Sequence, residues 1–274
     1  MSGTLEVTIL GCGSSGGVPR LGGPDGHGYW GACDPNNPRN RRRRCSLLVR
    51  QSSESGKTQL LVDTSPDMRE QLLDAGVSTL DGVLVTHNHA DQLHGLDDLR
   101  MIAINMRRRV DVWSDNAALE GMLGRFAYCF VQAPGSEYPP VLNAHEIAEP
   151  HQEFQIGGAG GPIPILAFRQ GHGGIHSLGF RFGPIAYSSD VHEFDDAAFA
   201  ALAGTRIWIV DALRYTPHPT HSHVERSLEW IARLKPERAV LTNMHVDLDY
   251  ETLKAELPDN VEPAYDGMVL SATL

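Results

Sequence analysis

The chain has 274 residues, enough for one large domain or two small ones, and its 41% apolar content can supply a real core. A formal charge of −11 excludes wholesale coating of nucleic acid, which needs a basic footprint. The four cysteines (Cys12, Cys33, Cys45 and Cys129) are scattered with no CxxC pair, which fits reduced thiols better than a disulfide framework.

The opening MSGTLEVTILGCG enters a strand, Leu5 to Leu10, at once. It lacks the charged start and apolar centre of a signal peptide, and no apolar run reaches membrane length, so a soluble cytoplasmic protein without membrane contact is expected. Gly11 to Gly17 (GCGSSGG) reads as a flexible turn, and alone it is a weak phosphate-binding signal because the GxxxxGK[ST] pattern is missing. Pro19 to Pro38, rich in Gly, Pro, Asp and Asn, reads as loop. The basic run Arg39 to Arg44 (RNRRRR) follows. Such a run is ordinarily a solvated face; its place beside presumed site loops makes anion contact the alternative.

Cys45 to Val49 and Gln59 to Val62 read as paired strands, and Ser65-Pro66 opens a helix through Leu73, with proline at a tolerated first-turn position. A strand at Val83 to Thr86, a helix from Leu93 to about Ile104, a strand at Val110 to Trp113 and a helix at Asn116 to Phe126 come next. Pro134 to Pro164 is loop-rich, with GGAGGP at Gly157 to Pro162 reading as a hairpin tip or an arm. Strands at Ile165 to Phe168, Leu178 to Phe182 and Ile185 to Ser188 lead into alternating units. These are helix Asp195 to Leu202, strand Ile207 to Val210, helix Val224 to Leu234, strand Ala239 to Thr242 and helix Tyr250 to Leu257. Strand pairs first and strand–helix units throughout imply sheets covered by helices, with no domain boundary inside 1–274.

The chemistry concentrates in VLVTHNHADQLHG, Val83 to Gly95. In extended backbone alternate side chains share a face, so His87 and His89 can grip one ion together, while Asp91, at the turn into a helix, can serve a neighbouring ion. Polar residues recur at other strand ends: His172, Asp190, Asp211 and His245. Side chains at one end of a sheet converge, so these positions can share a pocket. His87, His89 and His172 then form a three-nitrogen site suited to Zn²⁺, with Asp190 bridging to a second ion near Asp91.

THNHADQLHGL resembles the HxHxDH signature of the metallo-β-lactamase superfamily, and GHGG, YSSD and LTNMH resemble its later ligand segments in order. The opening GCGSSGGVPR, the RNRRRRCSLLV stretch and the closing DGM further resemble the phosphoribosyl cyclic phosphodiesterase branch, related to tRNA 3′-processing endonucleases. The resemblance implies a four-layer αββα sandwich with metals at one edge. It also implies His87, His89 and His172 on one ion, Asp91 on the other and Asp190 between them. Two departures stand out: Gln92 replaces the last histidine of the signature, and Asn243 replaces a final metal histidine. His94 and His245, each two residues later, are the substitutes to consider. The amide donors tilt the second position towards Mn²⁺ or another hard ion, Zn²⁺ being the other choice. Of the cysteine-rich structural zinc site carried by many members of the branch, Cys33 alone is present, so that site is not expected.

THSHVERSLEWI resembles the branch's His-Ser segment, which places His221 as general acid, oriented by Asp211. The plainer reading makes Ser222 a helix cap with Glu225 completing a capping box. His176, His218 and His223 are candidates to line the pocket; His27, His145, His151 and His192 carry no motif. The expected activity is hydrolysis of a small phosphodiester, cyclic or linear, by metal-activated hydroxide, with Asp91 also catalytic. Arg41 and Arg43, or backbone N–H groups of Ser14, Ser15 and Gly16, would neutralise phosphoryl oxygens, with His223 as a further contact. A homodimer is the expected state. The rival readings are an RNA 3′-end nuclease, a thioester or lactam hydrolase on the same fold, and a nucleotide-binding protein with little turnover.

Overall fold

In the computed structural model, residues 4–274 are described, and their strands form two seven-stranded sheets. The first half of the chain contributes β1 (Thr4–Gly11), β2 (Ser46–Ser53), β3 (Gly56–Val62), β4 (Gly82–Leu84), β5 (Val110–Ser114) and β6 (Leu142–Glu146). Helices α1 (Met68–Asp74), α2 (Ala90–Leu93), α3 (Leu99–Met106) and α4 (Asn116–Phe130) lie among them. The second half contributes β7 (Glu153–Ile156), β8 (Ile163–His172), β9 (Ile175–Phe182), β10 (Ile185–Ser188), β11 (Ile207–Asp211), β12 (Arg238–Thr242) and β13 (Val261–Pro263). Its helices are α5 (Asp196–Leu202), α6 (Val224–Leu234) and α7 (Tyr250–Glu256), and β14 (Val269–Thr273) returns to pair antiparallel with β1. The strand orders are β14-β1-β2-β3-β4-β5-β6 and β13-β12-β11-β10-β9-β8-β7.

Period-2 alternation sorts the side chains into layers. In β2 and β3, Leu47, Val49, Leu60 and Val62 face the core between the sheets, and Leu48 and Leu61 face the opposite way. That second face, with Val83, Val85, Val110 and Val112, packs on α1, α3 and α4 through Leu72, Ile102 and Met122. The inter-sheet core meets β8 to β12 and continues to Phe199 of α5 and Trp230 of α6. Each fully buried Leu, Val or Ile contributes about 1.5–3 kcal/mol. Helices outside two facing sheets make the αββα sandwich of the metallo-β-lactamase type.

Several elements differ from the local reading. The expected helix from Leu93 to Ile104 breaks into α2, a 3₁₀ turn at Leu96–Asp98, and α3. The break brings Gly95 so close to the Ser65 carbonyl that a Cβ there would stand 2.0 Å from its oxygen. The stretch read as loop-rich holds β6 and β7, and GGAGGP is the turn joining β7 to β8, with Gly160 and Gly161 against Thr58 and Gln51 of the other sheet. Ser222 and Glu225 form no capping box: His223 is the N-cap of α6, and Ser222 Oγ pairs instead with Ser227 Oγ at 2.7 Å. No helix among the described residues is long and apolar enough to cross a membrane.

Strands β3 to β6 run parallel, as do β10 to β13. The ends of β3, β4, β8, β10, β11 and β12 deliver Asp63, His87, His172, Asp190, Asp211 and Asn243 respectively. Three of these, Asp63, Asp190 and Asn243, are non-glycine residues with φ of 63°, 54° and 61°.

Candidate metal centre and active site

His87 leaves β4 buried, His89 follows two residues on at the start of α2, and His172 ends β8. Their rings stand 4.5 to 5.1 Å apart, and one nitrogen from each lies within 4.8 Å of the others. Two of the rings, His87 and His172, are oriented from behind. Asp63 accepts from the Thr86 hydroxyl at 3.0 Å, and Thr86 Oγ lies 3.0 Å from His87 Nδ1, so Nδ1–H points back and Nε2 forward. That Nε2 is buried without any partner. His172 Nδ1–H likewise donates to the Thr220 carbonyl at 2.7 Å, which turns its Nε2 to within 3.3 Å of His89 Nδ1.

Two bare imidazole nitrogens at that separation, with an orphaned third beside them, are what a tetrahedral ion requires. Nitrogens bound at about 2.0–2.1 Å subtend about 3.3 Å across the tetrahedral angle. Burial pushes His87 down to about 3, and burial with repulsion from neighbouring imidazoles, His221 among them, also lowers His89 and His172, so all three present neutral lone pairs. The three-histidine set therefore fits one divalent ion, and nitrogen donors suit Zn²⁺ among the choices.

Asp190 is 2% exposed and presents Oδ1 to the centre, 3.9 Å from His172 Nε2 and 3.8 Å from His221 Nδ1. Burial opposes its ionisation, but the imidazoles of His87, His221 and His172 outweigh that and hold the carboxyl below its usual range. His221 lies beyond His172, ring centres 4.7 Å apart, with Nδ1–H donating to Asp211 Oδ2 at 2.9 Å. Burial disfavours the imidazolium; the charge and hydrogen bond of Asp211, then Asp190, overcome this and push His221 up to about 9. Asp211 is wholly buried at the end of β11, and its backbone carbonyl accepts from Ser227 Oγ, tying it to α6.

A family model described as "Beta-lactamase superfamily domain" matches residues 58–244. The chain belongs to the metallo-β-lactamase superfamily. Most superfamily members are metal-dependent hydrolases. A crystal structure described as a new diphosphatase from the PhnP family is 30% identical, superposes with a TM-score of 0.85, and covers 100% of this chain and 99% of that one. The short form of human tRNase Z shares the fold at 18% identity, with a TM-score of 0.63 over 97% of this chain and 98% of that one. The likeness to tRNase Z is one of fold alone, whereas the PhnP-family diphosphatase is similar in sequence as well. A Porphyromonas gingivalis (strain ATCC BAA-308 / W83) protein named octanoyltransferase is 32% identical over 269 residues, 96% of this chain. The chain spans about half the length of that curated relative, 51%.

A cavity of about 300 Å³ opens beside this superfamily centre, and Asp91, His218, His221, Asn243 and His245 reach it. Asp91 is pushed up to about 6 by burial and then by the charge of Asp190. Ser14 and Ser15 line the cavity, but the N–H groups of Ser14 and Gly17 are committed to the carbonyls of Met244 and Ser14. Gly16 is not among the lining residues; it lies under the side chain of Arg20, where a Cβ would stand 3.0 Å from Nε.

Other expected contacts are placed elsewhere. Arg41 is exposed and covers the Trp30 ring. Arg43 pairs with Asp74 at 2.7 Å and Asp266 at 3.1 Å. Arg44 pairs with Asp67 at 3.0 Å, and the buried Arg42 donates to the carbonyls of Leu248 and His245. The basic run is thus spent on structure, against the expectation of anion contact. The arginines at the cavity are Arg20, the last residue of the GCGSSGGVPR motif but not read as a contact, and Arg214, which no motif marked. His223 sits at the N-cap position of α6 without a side-chain capping bond and is not among the cavity's lining residues, and His176 lines a separate recess with His87, Asn88 and Arg169. His94 is exposed, its Nε2 3.3 Å from Arg125 and its ring against Phe126, so it faces α4 and not the metal cluster. His245 Nδ1 turns to Asp247 at 3.1 Å. Neither His94 nor His245 joins a metal-sized group among the described residues, which corrects their expected role as ligands. Asp63 and Thr86 were also missed, although Asp63 sits at a strand end like the residues that were found.

Proposed function

We propose that the protein hydrolyses a small phosphodiester, cyclic or linear, with one divalent ion at His87, His89 and His172 and with His221 as general acid. The observation that carries this is the His221–Asp211 pair, 2.9 Å long, bordering the same cavity as the phosphate-friendly side chains Arg20, Arg214 and Ser14. The chemistry supplied at the three-histidine position is Lewis acidity: positive charge against a phosphoryl oxygen and a more acidic water. Asp211, kept ionised, fixes the imidazole so that its other nitrogen, Nε2, carries the proton donated to the departing sugar oxygen. Asp91, with its raised proton affinity, is the group at the cavity suited to take a proton from the attacking water. The guanidinium groups of Arg20 and Arg214 balance the charge of the phosphoryl group.

The diphosphatase description of the similar crystal structure supports phosphate-ester chemistry for this chain. An octanoyl group finds little to hold it here, since Leu213 alone is apolar among the residues lining the cavity beside His221. The nearby Cys45 is fully buried, and its thiol is pushed up by burial, which leaves no acyl-accepting thiolate. The small cavity and acidic chain favour a cytoplasmic small-molecule phosphate ester over extended RNA as the substrate. The test is turnover of bis-p-nitrophenyl phosphate with Zn²⁺ or Mn²⁺, followed by 2′,3′-cyclic nucleotides, whose leaving group is a sugar hydroxyl. Turnover of both kinds of ester is expected, and His221→Ala should lose turnover of the cyclic nucleotides, with metal content retained, while affecting bis-p-nitrophenyl phosphate much less, because its leaving group needs no proton. No turnover with tight nucleotide binding, or equal loss of metal and activity in His221→Ala, would overturn the assignment.

A further inference from the structure

The two-ion centre that the resemblance implies would hold its second cation at Asp91, beside the Asp190 carboxylate. That place is taken by an amide. Gln92, fully buried, directs Nε2 to Asp190 Oδ2 at 3.0 Å and towards Asp91 Oδ2 at 3.4 Å, so its two N–H bonds serve both carboxylates. Asp190 Oδ2 is saturated further by the Ser189 hydroxyl at 2.6 Å. An oxygen that accepts two hydrogen bonds in a buried site has no lone pair directed at an ion.

A second amide stands on the other side of the same space. Asn243, 1% exposed at the end of β12, lies 3.1 Å from His221 Nδ1, the nitrogen already engaged by Asp211. A second group of metal-ligating residues does exist, His172, Asp190 and His221, but each of its members has a prior commitment. His172 Nε2 faces His89, Asp190 offers only Oδ1, and His221 Nδ1 is bound to Asp211. His94 is turned to α4, and His218 and His245, although they reach the cavity, belong to no metal-sized group among the described residues.

The structure assigns this chain one divalent ion, with the Gln92 side-chain amide bridging Asp91 and Asp190 in the place of a second. Gln92 is thus a positioning residue: it holds the two carboxylates side by side, as a shared cation would, and leaves Asp91 free of metal. The inference concerns the number of ions and stands apart from the identity of the substrate.

Metal-stripped protein is to be saturated with Zn²⁺, and separately with Mn²⁺, desalted, and analysed for metal per chain, with calorimetric titration as the second measurement. One ion per chain is expected with either metal. The double substitution Gln92→His with Asn243→His replaces both amides by imidazoles, and should raise the content to two. Gln92→Ala, which removes the bridge without adding bulk, should instead admit a second ion with an affinity at least tenfold weaker than the first. Two tightly held ions in the unsubstituted protein would overturn the assignment. So would a Gln92→Ala protein and a folded double-histidine protein that both remain at one ion, because the amides would then not be what excludes the second. Failure of every phosphate ester to turn over would sink the hydrolase reading and leave this stoichiometry standing.

Discussion

Asp211→Asn isolates the contribution of one buried charge to the proposed acid. The replacement is close to isosteric and keeps a polar group 2.9 Å from His221 Nδ1, but it removes the negative charge. His221 stands at about 9 against an ordinary 6.5, and Asp211 is the largest of the influences raising it. That displacement corresponds to about 3 kcal/mol in favour of the imidazolium. The sign follows from a raised proton affinity: the acid form is present below about 9 and is lost as pH rises through that value. In Asp211→Asn the limb falls from about 9 towards the ordinary 6.5, with burial pulling it down and the remaining charges of Asp190 and Asp91 holding it up. A fall the whole way to 6.5 would drop the protonated fraction at pH 8 from about nine-tenths to about 3%, so the loss in kcat/KM is up to about thirtyfold. A divalent ion at the three histidines moves both limbs down together, so the separation between wild type and variant is the quantity to read. The assay is a pH profile from 6 to 10 on a 2′,3′-cyclic nucleotide, because p-nitrophenolate leaves without needing a proton. Superimposable profiles, or a loss of zinc matching the loss of rate, would refute the acid role.

Thr86→Val removes the hydroxyl between Asp63 and His87 Nδ1 with little change of shape. Zinc affinity should fall by about 10- to 100-fold in competition with a chromophoric chelator, and an unchanged affinity would show that the relay is idle. Arg20→Ala should raise KM for the preferred ester about tenfold or more with a smaller change in kcat, as expected for a charged contact to phosphate. A fall in kcat alone would move Arg20 from binding to chemistry. In the metal-free protein, His87 is pushed down to about 3 while the unfolded chain titrates near 6.5. Stability therefore declines as pH drops from 6.5 towards 3, with about 2 kcal/mol lost between pH 7 and pH 5 in urea denaturation; bound zinc should remove this dependence. An apo midpoint that does not move between those two values would contradict the burial argument.

The parts of the fold visible from sequence were those encoded by local periodicity. Ile185 to Ser188 and Val224 to Leu234 appear at their expected bounds, and the alternation of Leu47, Leu48 and Val49 already separates two faces. The short edge strands β6, β7, β13 and β14 were not legible. They are three to five residues long, and several face water on one side, so their pairing depends on partners far along the chain. At the site, His87, His89 and Asp91 announce themselves by spacing, and His172, Asp190 and Asp211 by their positions at strand ends. The basic run could not be judged in isolation, because Asp67, Asp74 and Asp266, which neutralise it, are brought there only by folding. The bridging role of Gln92 is equally non-local: its partner Asp190 is 98 residues away.

The left-handed backbone at Asp63, Asp190 and Asn243 carries a cost in robustness. Glycine adopts that region freely, whereas a side chain there is held against a penalty of roughly 1 kcal/mol, softened for Asp and Asn by their short polar groups. Installing glycine at the three positions would relax the main chain and erase the carboxylates and amide that face the centre. A variant selected for heat tolerance alone would thus be drawn towards inactivity at these three positions, and engineers seeking a hardier version should look for gains elsewhere.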